Sequence, residues 1–484
     1  MGKKKSNVNY DLADMWMYDV TLNQTNIKNN NNKFYKIKIE KDGPLYVRHV
    51  QYGRVGEEGR PADQKFPSYE KAVDAFLSTF FSKTRNHWED RHSFVPKKGK
   101  YIVVKLAENE KCDDEEGEVK QGRTIEYKES ELEPKIKEFV ELIADKEMIR
   151  EQMQSFDIDC DKLPIGTIDK KQIEKGFEIL GQIQEEIKNP GTHEDGLEEL
   201  CNDFYSNIPH YFGRRKPDLI KSEKMVQSKI EMLKTLTDIE EVQNMLKVDP
   251  NDVDDDTNPV DKIFKTMNVK MEHVPKHTEE FKIMDKYVRN GHGPTHKYLN
   301  LKLRELYKIE RPGESKRFEP WKDNDNRQLL WHGSRMANWM SILTNGLKID
   351  PPKGVHITGK MFGGSSVYTA NICTKSANYC NAQTSNQTGV MVLLETALGD
   401  TYNLLNAEQV TLKKLNRINK HSTWGQGYWV PDPKDTLVMD DGCKVPLGKP
   451  VKSNIPNVYL RYDEFIVYDQ AQFRMRYVLV LDFK

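Results

Sequence analysis

The chain has 484 residues, more than one hydrophobic core usually supports, so its length predicts two to four domains. Hydrophobic residues make up 37% and charged residues 31%, as in folded globular proteins, and no run of about 18 apolar residues predicts a membrane helix. The six cysteines include no Cys-x-x-Cys pair, which argues against zinc sites and a disulfide framework. We therefore expect an intracellular protein that makes no use of a membrane.

The N-terminal part of the chain is basic. Residues 1–12 are predicted to be a basic tail, whose opening Met1–Ser6 formally matches an N-myristoylation pattern and equally fits a disordered tail that aids nuclear import. Residues 1–105 contain 20 Lys and Arg against 12 Asp and Glu, a charge of +8, which leaves −9 for the remainder. This basic module fits a protein that binds the phosphate backbone of nucleic acid, and an ordinary solvated basic face gives the same count.

Residues 13–110 are predicted to form a small α+β domain. Residues 34–39 and 45–50 alternate in polarity on either side of Asp42-Gly43-Pro44, which predicts a β-hairpin. Ser68 precedes an amphipathic run and predicts the N-cap of a helix. A charged linker is expected over residues 111–130.

The next 120 residues, 131–250, are predicted to be entirely helical, because their apolar residues recur at three- and four-residue spacing. An acidic linker over 251–262 separates them from residues 263–484, where β-branched and aromatic runs alternate with Gly, Pro and Asn. Those runs predict strands at 390–394, 459–462, 465–468 and 477–481. The predicted fold class is therefore multidomain α+β, with a small α+β domain, an all-α domain and a mixed α/β domain.

Two nucleotide-binding motifs are missing from the sequence. The spacing of Gly53, Gly56 and Gly59 does not match the Rossmann glycine pattern. Gly359-Lys360 continues into Met361 instead of the Ser or Thr that a P-loop requires. Rossmann dinucleotide binding and P-loop NTPase chemistry are therefore disfavoured.

Polar residues interrupt the apolar strands of the C-terminal region at 330–335, at Tyr368, at 376–379 and at 462–468. These segments resemble the catalytic domain of DNA-dependent poly(ADP-ribose) polymerases, and the similarity covers most of residues 271–484. Residues 163–166 and 208–217 resemble the helical regulatory domain of that family. Residues 52–56 and 83–91 resemble its DNA-contacting WGR domain. The order of modules is similar to that of the shorter members, which lack zinc fingers.

The resemblance implies that NAD⁺ is the ADP-ribose donor and that no metal takes part. Breaking the nicotinamide–ribose bond builds positive charge at the anomeric carbon, which a buried carboxylate stabilises. The resemblance assigns this role to Glu464 and makes His332, Tyr368 and Glu464 the catalytic set; a salt-bridged edge-strand carboxylate is the alternative for Glu464. The residues implied to bind NAD⁺ are His332, Gly333, Ser334, Tyr368, Ser376 and Tyr379.

The sequence departs from the family pattern at two places. Residues 363–369 are one residue longer than the family's Gly-Lys-Gly-Ile-Tyr-Phe, with Thr369 in place of the final Phe. In the first domain Tyr52 replaces the family's Trp, which leaves an aromatic face with less stacking area. The residues implied to contact DNA are Tyr52, Arg54, Arg85 and Trp88.

The resemblance implies a nuclear enzyme of DNA repair, activated by DNA strand breaks, that modifies chromatin proteins and itself. The helical domain would hinder access of NAD⁺ until DNA binds, with Arg54 passing the signal and residues 233–246 facing the NAD⁺ site. An accessory factor that completes the active site is a further implied partner. Two alternatives stay open: a transferase that adds a single ADP-ribose, and a non-catalytic DNA-binding scaffold.

Overall fold

A computed structural model describes residues 15, 17–106, 127–158, 168, 170–246, 256–349, 361–363 and 365–484. Two compact units account for the chain. The first comprises Met1–Thr124 and Phe156–Leu236, and the second Ile125–Ser155 and Thr237–Lys484. The N-terminal tail, Gly364, the 163–166 segment and most of the linker expected at 111–130 lie outside the described residues.

The first unit contains a six-stranded sheet and a helix packed on it. Its elements are β1 (Asp19–Asn26), β2 (Asn31–Asp42), β3 (Leu45–Arg54), β4 (Arg60–Pro61), β5 (Gln64–Phe66), α1 (Tyr69–Thr84) and β6 (Ile102–Leu106). The strand order is β4-β3-β2-β1-β6, with β5 also paired to β3. The hairpin prediction is confirmed, since Asp42 pairs with Leu45 across the turn.

The helix prediction of this unit is also confirmed. The Ser68 side chain accepts from the backbone N–H of Lys71 and caps α1. The buried face of α1 carries Ala72, Phe76 and Phe80, which pack against the sheet in one hydrophobic core. Burial of this apolar stripe, rather than helix propensity, is the main source of stability of such a helix.

The described part of residues 131–250 contains helices and no strand. The helices are α2 (Pro134–Ile143), α3 (Lys146–Gln154), α4 (Lys170–Lys188), α5 (Gly196–Asn207) and α6 (Glu223–Leu246). The contact pattern places α4, α5 and the first part of α6 in the first unit, and α2 and α3 in the second. The next helix, α7 (Pro259–Met267), begins inside the segment expected to be an acidic linker.

The second unit has a mixed architecture built on sheets. Its remaining helices are α8 (Glu279–Asn290), α9 (Glu314–Phe318), α10 (Trp339–Asn345), α11 (Cys373–Ala377) and α12 (Leu412–Arg417). Its strands are β7 (Lys270–His273), β8 (Leu301–Glu310), β9 (Arg327–Gly333), β10 (Val367–Thr369), β11 (Thr388–Ala397), β12 (Thr401–Leu404), β13 (Ser422–Gly425), β14 (Gly427–Pro431), β15 (Thr436–Val438), β16 (Lys444–Pro446), β17 (Pro450–Lys452), β18 (Leu460–Tyr462), β19 (Glu464–Val467) and β20 (Phe473–Phe483).

Three sheets organise these strands. A seven-stranded sheet has the order β15-β16-β9-β11-β20-β8-β7, a four-stranded sheet β10-β19-β13-β12, and a three-stranded sheet β17-β14-β18. The central strand β11 is buried along its whole length, as expected for a strand covered on both faces. The four predicted strand runs fall on β11, β18, β19 and β20, which confirms them and the predicted α+β class.

Two further observations concern the described residues alone. None of their helices is long and apolar enough to cross a membrane. They also contain no cluster of three or more His, Cys, Asp or Glu side chains arranged to hold a metal ion.

Candidate active site

His332 and Gly333 end β9, an interior strand between β16 and β11. The His332 Nδ1 atom lies 2.9 Å from the carbonyl oxygen of Tyr368, and since a carbonyl only accepts, the ring carries its proton on Nδ1. A Cβ added to Gly333 would lie 2.2 Å from the carbonyl oxygen of Ser376. Only glycine therefore permits this close approach of β9 and the segment that contains Ser376.

Tyr368 lies on β10, beside β19, and two hydrogen bonds fix the hydroxyl end of its ring. Its hydroxyl accepts from the backbone N–H of Phe362 at 2.9 Å and donates to the carbonyl oxygen of Gly363 at 3.1 Å. Burial raises the pKa of Tyr368, and the nearby Glu464 and Tyr379 raise it further. The longer segment therefore still brings Tyr368 close to Glu464 and Tyr379.

Ser376 and Tyr379 follow on α11 and on the 3₁₀ turn after it. The Ser376 hydroxyl donates to the carbonyl oxygen of Trp331 at 2.9 Å, which holds α11 against β9. Tyr379 is 59% exposed and lines the cleft described below. Ser334, next to Gly333, accepts from the Asn338 side-chain amide at 3.0 Å.

Glu464 begins β19 and is only 8% exposed. Its carboxylate forms an ion pair and hydrogen bond with the ammonium of Lys375. The alternative of a salt-bridged edge-strand carboxylate is wrong about the strand, because β19 lies between β10 and β13, although the salt bridge itself is present. Lys375 was not singled out in the sequence, although it stands one residue before Ser376 in a run that resembles the family's.

A cleft of about 360 Å³ adjoins this set, and Lys375 lines it. The other lining residues are Thr295, His296, Asn378, Tyr379, Tyr459, Leu460, Arg461 and Tyr462. His296 was also missed, since an isolated histidine in a loop carries no local signal. Burial and the adjacent Lys375 lower the pKa of His296. The cleft therefore offers hydrogen-bonding groups, aromatic faces and the charged side chain of Arg461 beside the Glu464–Lys375 pair.

The residues implied to contact DNA lie in the first unit and differ in exposure. Tyr52 is 40% exposed, and its ring stacks on Tyr35 at a centroid distance of 5.7 Å. The Lys83 ammonium lies 4.3 Å from the centroid of Tyr35. Arg85 is exposed at the end of α1. These side chains provide an aromatic and basic surface of the kind that binds nucleic acid.

Trp88 requires a correction. It is 4% exposed and packs edge-on against Phe76 and Phe80 in the core of the first unit. The guanidinium of Arg91 covers its ring at 4.9 Å. Trp88 is therefore a core residue, and burial leaves its ring no open face for DNA.

Arg54 also makes contacts inside the first unit. Its guanidinium donates to the carbonyl oxygens of Gly213, Asn30 and Arg215, the last two at 2.8 and 2.9 Å. These bonds join β3 to the loop that follows α5. These contacts hold the guanidinium of Arg54 against other segments of the first unit.

His332, Tyr368 and Glu464 thus come from three strands to one place, near the exposed side chain of Tyr379. This arrangement, with the comparisons below, defines an ADP-ribosyltransferase domain that uses NAD⁺ as its substrate. Residues 278–483 match the family model "Poly(ADP-ribose) polymerase catalytic domain", residues 130–264 match "Poly(ADP-ribose) polymerase, regulatory domain", and residues 18–95 match "WGR domain".

Individual relatives support the same assignment. Poly [ADP-ribose] polymerase 2 of Homo sapiens is 36% identical over 96% of this chain and 80% of its own length. Poly [ADP-ribose] polymerase 2 of Arabidopsis thaliana is 36% identical over 96% of this chain and 73% of its own. Poly [ADP-ribose] polymerase of Sarcophaga peregrina is 36% identical, and the match spans 46% of that relative. The chain belongs to the poly(ADP-ribose) polymerase family.

Proposed function

We propose that this protein is a poly(ADP-ribose) polymerase that DNA strand breaks activate and that modifies chromatin proteins and itself in the nucleus. The observation that carries the proposal is the buried Glu464 carboxylate, paired with Lys375 and close to Tyr368. A carboxylate fixed in a largely buried site stabilises nearby positive charge far better than one in water.

The described residues fit the parts of NAD⁺ in three ways. The ring of Tyr379, with Tyr368 opposite, would stack on the nicotinamide. The backbone of Gly333 and the hydroxyl of Ser376 would hold the carboxamide, and His332 would bind the adenosine-side ribose. Glu464 would hydrogen-bond the 2′-hydroxyl of the other ribose and, during chain elongation, help to activate the acceptor hydroxyl.

Regulation by the helical segment is supported by contacts within the second unit. The backbone N–H of Ala337, four residues after Gly333, donates to the side chain of Gln152 at 2.8 Å. The Ser341 hydroxyl hydrogen-bonds the carboxylate of Asp238 at 2.7 Å. Two helical residues thus hydrogen-bond the segment that follows β9. Breaking these hydrogen bonds would alter access to the NAD⁺ site.

The cleft next to Glu464 supports the proposed acceptors and accessory factor. It is open, and Tyr459 at its rim is 72% exposed. An acceptor side chain or a segment of an accessory protein could enter it without displacing a core residue. The proposed nuclear location is tested by imaging the fluorescently tagged full chain in intact cells.

Incubation with labelled NAD⁺, with and without nicked DNA, tests the proposed function. A ladder of labelled products that requires DNA supports a DNA-activated polymerase. A single added unit would instead identify a mono-ADP-ribosyltransferase, and no label would identify a non-catalytic scaffold. Label that is independent of DNA would refute activation by strand breaks while leaving the transferase activity intact.

Tyr52→Ala tests the proposed DNA-binding surface. Stacking of a base or sugar on an aromatic ring contributes about 1–3 kcal/mol, so we expect DNA affinity to fall by about 5- to 150-fold. Fluorescence anisotropy with a labelled nicked duplex measures it. Tyr127→Ala, also in an exposed tyrosine, is the control and should bind as the wild type does. Equal DNA affinity of the Tyr52 variant and the wild type would show that Tyr52 does not contribute to DNA binding.

Arg54→Ala separates DNA binding from activation. The variant loses the hydrogen bonds to the loop at residues 213–215, so we expect stimulation by nicked DNA to fall by about tenfold, the effect of a coupling free energy near 1.4 kcal/mol. DNA affinity should change by less than about threefold, since the guanidinium already bonds within the protein. The opposite result, weak DNA binding with normal stimulation by saturating DNA, would indicate that Arg54 contacts DNA.

A further inference from the structure

Asp463, the residue before Glu464, has a carboxylate that the proposed chemistry does not use. It occupies the single-residue junction between β18 and β19 and is 2% exposed. One oxygen accepts from the backbone N–H of Gly427 at 2.8 Å, and the other accepts from the side-chain amide of Asn371 at 2.9 Å. Burial raises the pKa of Asp463, so these bonds have to offset a desolvation cost.

One partner of Asp463, Asn371, belongs to a segment that forms the active site, and the other, Gly427, begins β14. Asn371 lies between β10, which carries Tyr368, and α11, which carries Lys375 and Ser376. Its bond to Asp463 therefore ties that whole segment to the strand that begins with Glu464. On the other side, a Cβ on Gly427 would lie 2.2 Å from the backbone of Tyr462, so β14 approaches this junction as closely as a glycine allows.

The neighbours of Asp463 contact different groups. The Tyr462 hydroxyl accepts from the backbone N–H of Thr295 at 2.9 Å, and Glu464 pairs with Lys375. Asp463 lies between these two residues, and its buried hydrogen bonds to Gly427 and Asn371 fix the junction between β18 and β19. A change of its bonding would shift the start of β19, and with it the carboxylate of Glu464 relative to Lys375.

We propose that the hydrogen bond between Asp463 and Asn371 positions Glu464 for ADP-ribose transfer. Asp463 and Asn371 are positioning residues that do not touch the substrate, and the inference rests on the role proposed for Glu464. A displacement of about 1 Å in an active site costs up to about 100-fold in rate, so a bond that fixes two site segments has a large effect on kcat. Ser376 is held separately on β9 by its hydrogen bond to the carbonyl oxygen of Trp331, next to Gly333, so loss of the Asp463–Asn371 bond should change KM for NAD⁺ much less than kcat.

The variant Asn371→Asp tests the inference without changing side-chain volume. It places two carboxylates face to face, which repel each other unless they share a proton. We expect kcat to fall by about 10- to 100-fold with little change in KM for NAD⁺. The double variant N371D/D463N restores one donor and one acceptor with the charge exchanged, and should recover most of the wild-type kcat. The exposed Asp400→Asn is the matched control and should keep the wild-type kcat.

Each outcome decides the question. An unchanged kcat in N371D, or a folded double variant as slow as N371D, overturns the inference. If N371D does not fold, the double variant decides by its kcat alone. If the wild type transfers no label, the proposed function fails, and crystal structures of the wild type and N371D then test the inference. A Glu464 carboxylate that is displaced from Lys375 in N371D supports the positioning role. A Glu464 carboxylate that has not moved refutes it.

Discussion

Glu464→Gln is expected to lower the rate of ADP-ribose transfer by about 100- to 1000-fold. The amide has almost the same shape as the carboxylate and can still accept from Lys375, so the buried start of β19 keeps its packing. What it lacks is the negative charge that stabilises the positive charge growing at the anomeric carbon. Because this interaction strengthens in the transition state, kcat and kcat/KM should fall together. Initial rates with labelled NAD⁺ and nicked DNA measure both.

Glu310→Gln is the matched control for this experiment. Glu310 ends β8, is exposed, and lies 3.6 Å from Lys270 in a surface ion pair. Its replacement should leave the rate of transfer unchanged, because an exposed ion pair contributes little to the stability of the fold. A Glu464→Gln variant that retains the wild-type rate with a normal thermal unfolding midpoint would show that the transfer does not depend on this carboxylate.

Sequence patterns predicted the parts of the fold that depend on residues close together in the chain. The hairpin formed by β2 and β3 follows from the turn at Asp42-Gly43, and α1 begins where Ser68 caps it. The strand runs around Glu464 were predicted for the same reason, since alternation and β-branched residues act locally. The roles of His332 and Tyr368 were implied by the resemblance to the family, because composition alone does not indicate them.

Contacts between distant residues were not predictable in this way. Glu464 and Lys375 are 89 positions apart, and nothing near either residue indicates the other. Trp88 was expected at the DNA surface because residues 83–91 resemble a WGR domain, yet its indole packs edge-on against Phe76 and Phe80. Whether an aromatic side chain faces the solvent or the core depends on the packing of elements from the whole domain.

Glu395→Gln is expected to destabilise the second unit by about 3–5 kcal/mol. Glu395 lies on β11, is 0% exposed, and accepts hydrogen bonds from three arginines. Arg327 lies 2.5 Å from one oxygen, and Arg474 and Arg476 lie 2.7 and 3.3 Å from the other. Among the described residues the Asp441 carboxylate forms an ion pair with Arg476, so loss of the Glu395 charge leaves one carboxylate for three buried or partly buried guanidinium groups.

Urea unfolding followed by tryptophan fluorescence measures this effect, since Trp331 and Trp339 are fully buried in the same unit. Glu408→Gln removes a half-exposed carboxylate that pairs with Lys414 and should cost less than about 1 kcal/mol. Glu395 pairs with Leu329 on β9, three residues before His332, yet makes no contact proposed for NAD⁺. The folded Glu395→Gln variant should therefore transfer ADP-ribose at close to the wild-type kcat, whereas Glu464→Gln lowers kcat and keeps the stability. An unchanged unfolding midpoint of Glu395→Gln would mean that this carboxylate does not stabilise the three arginines.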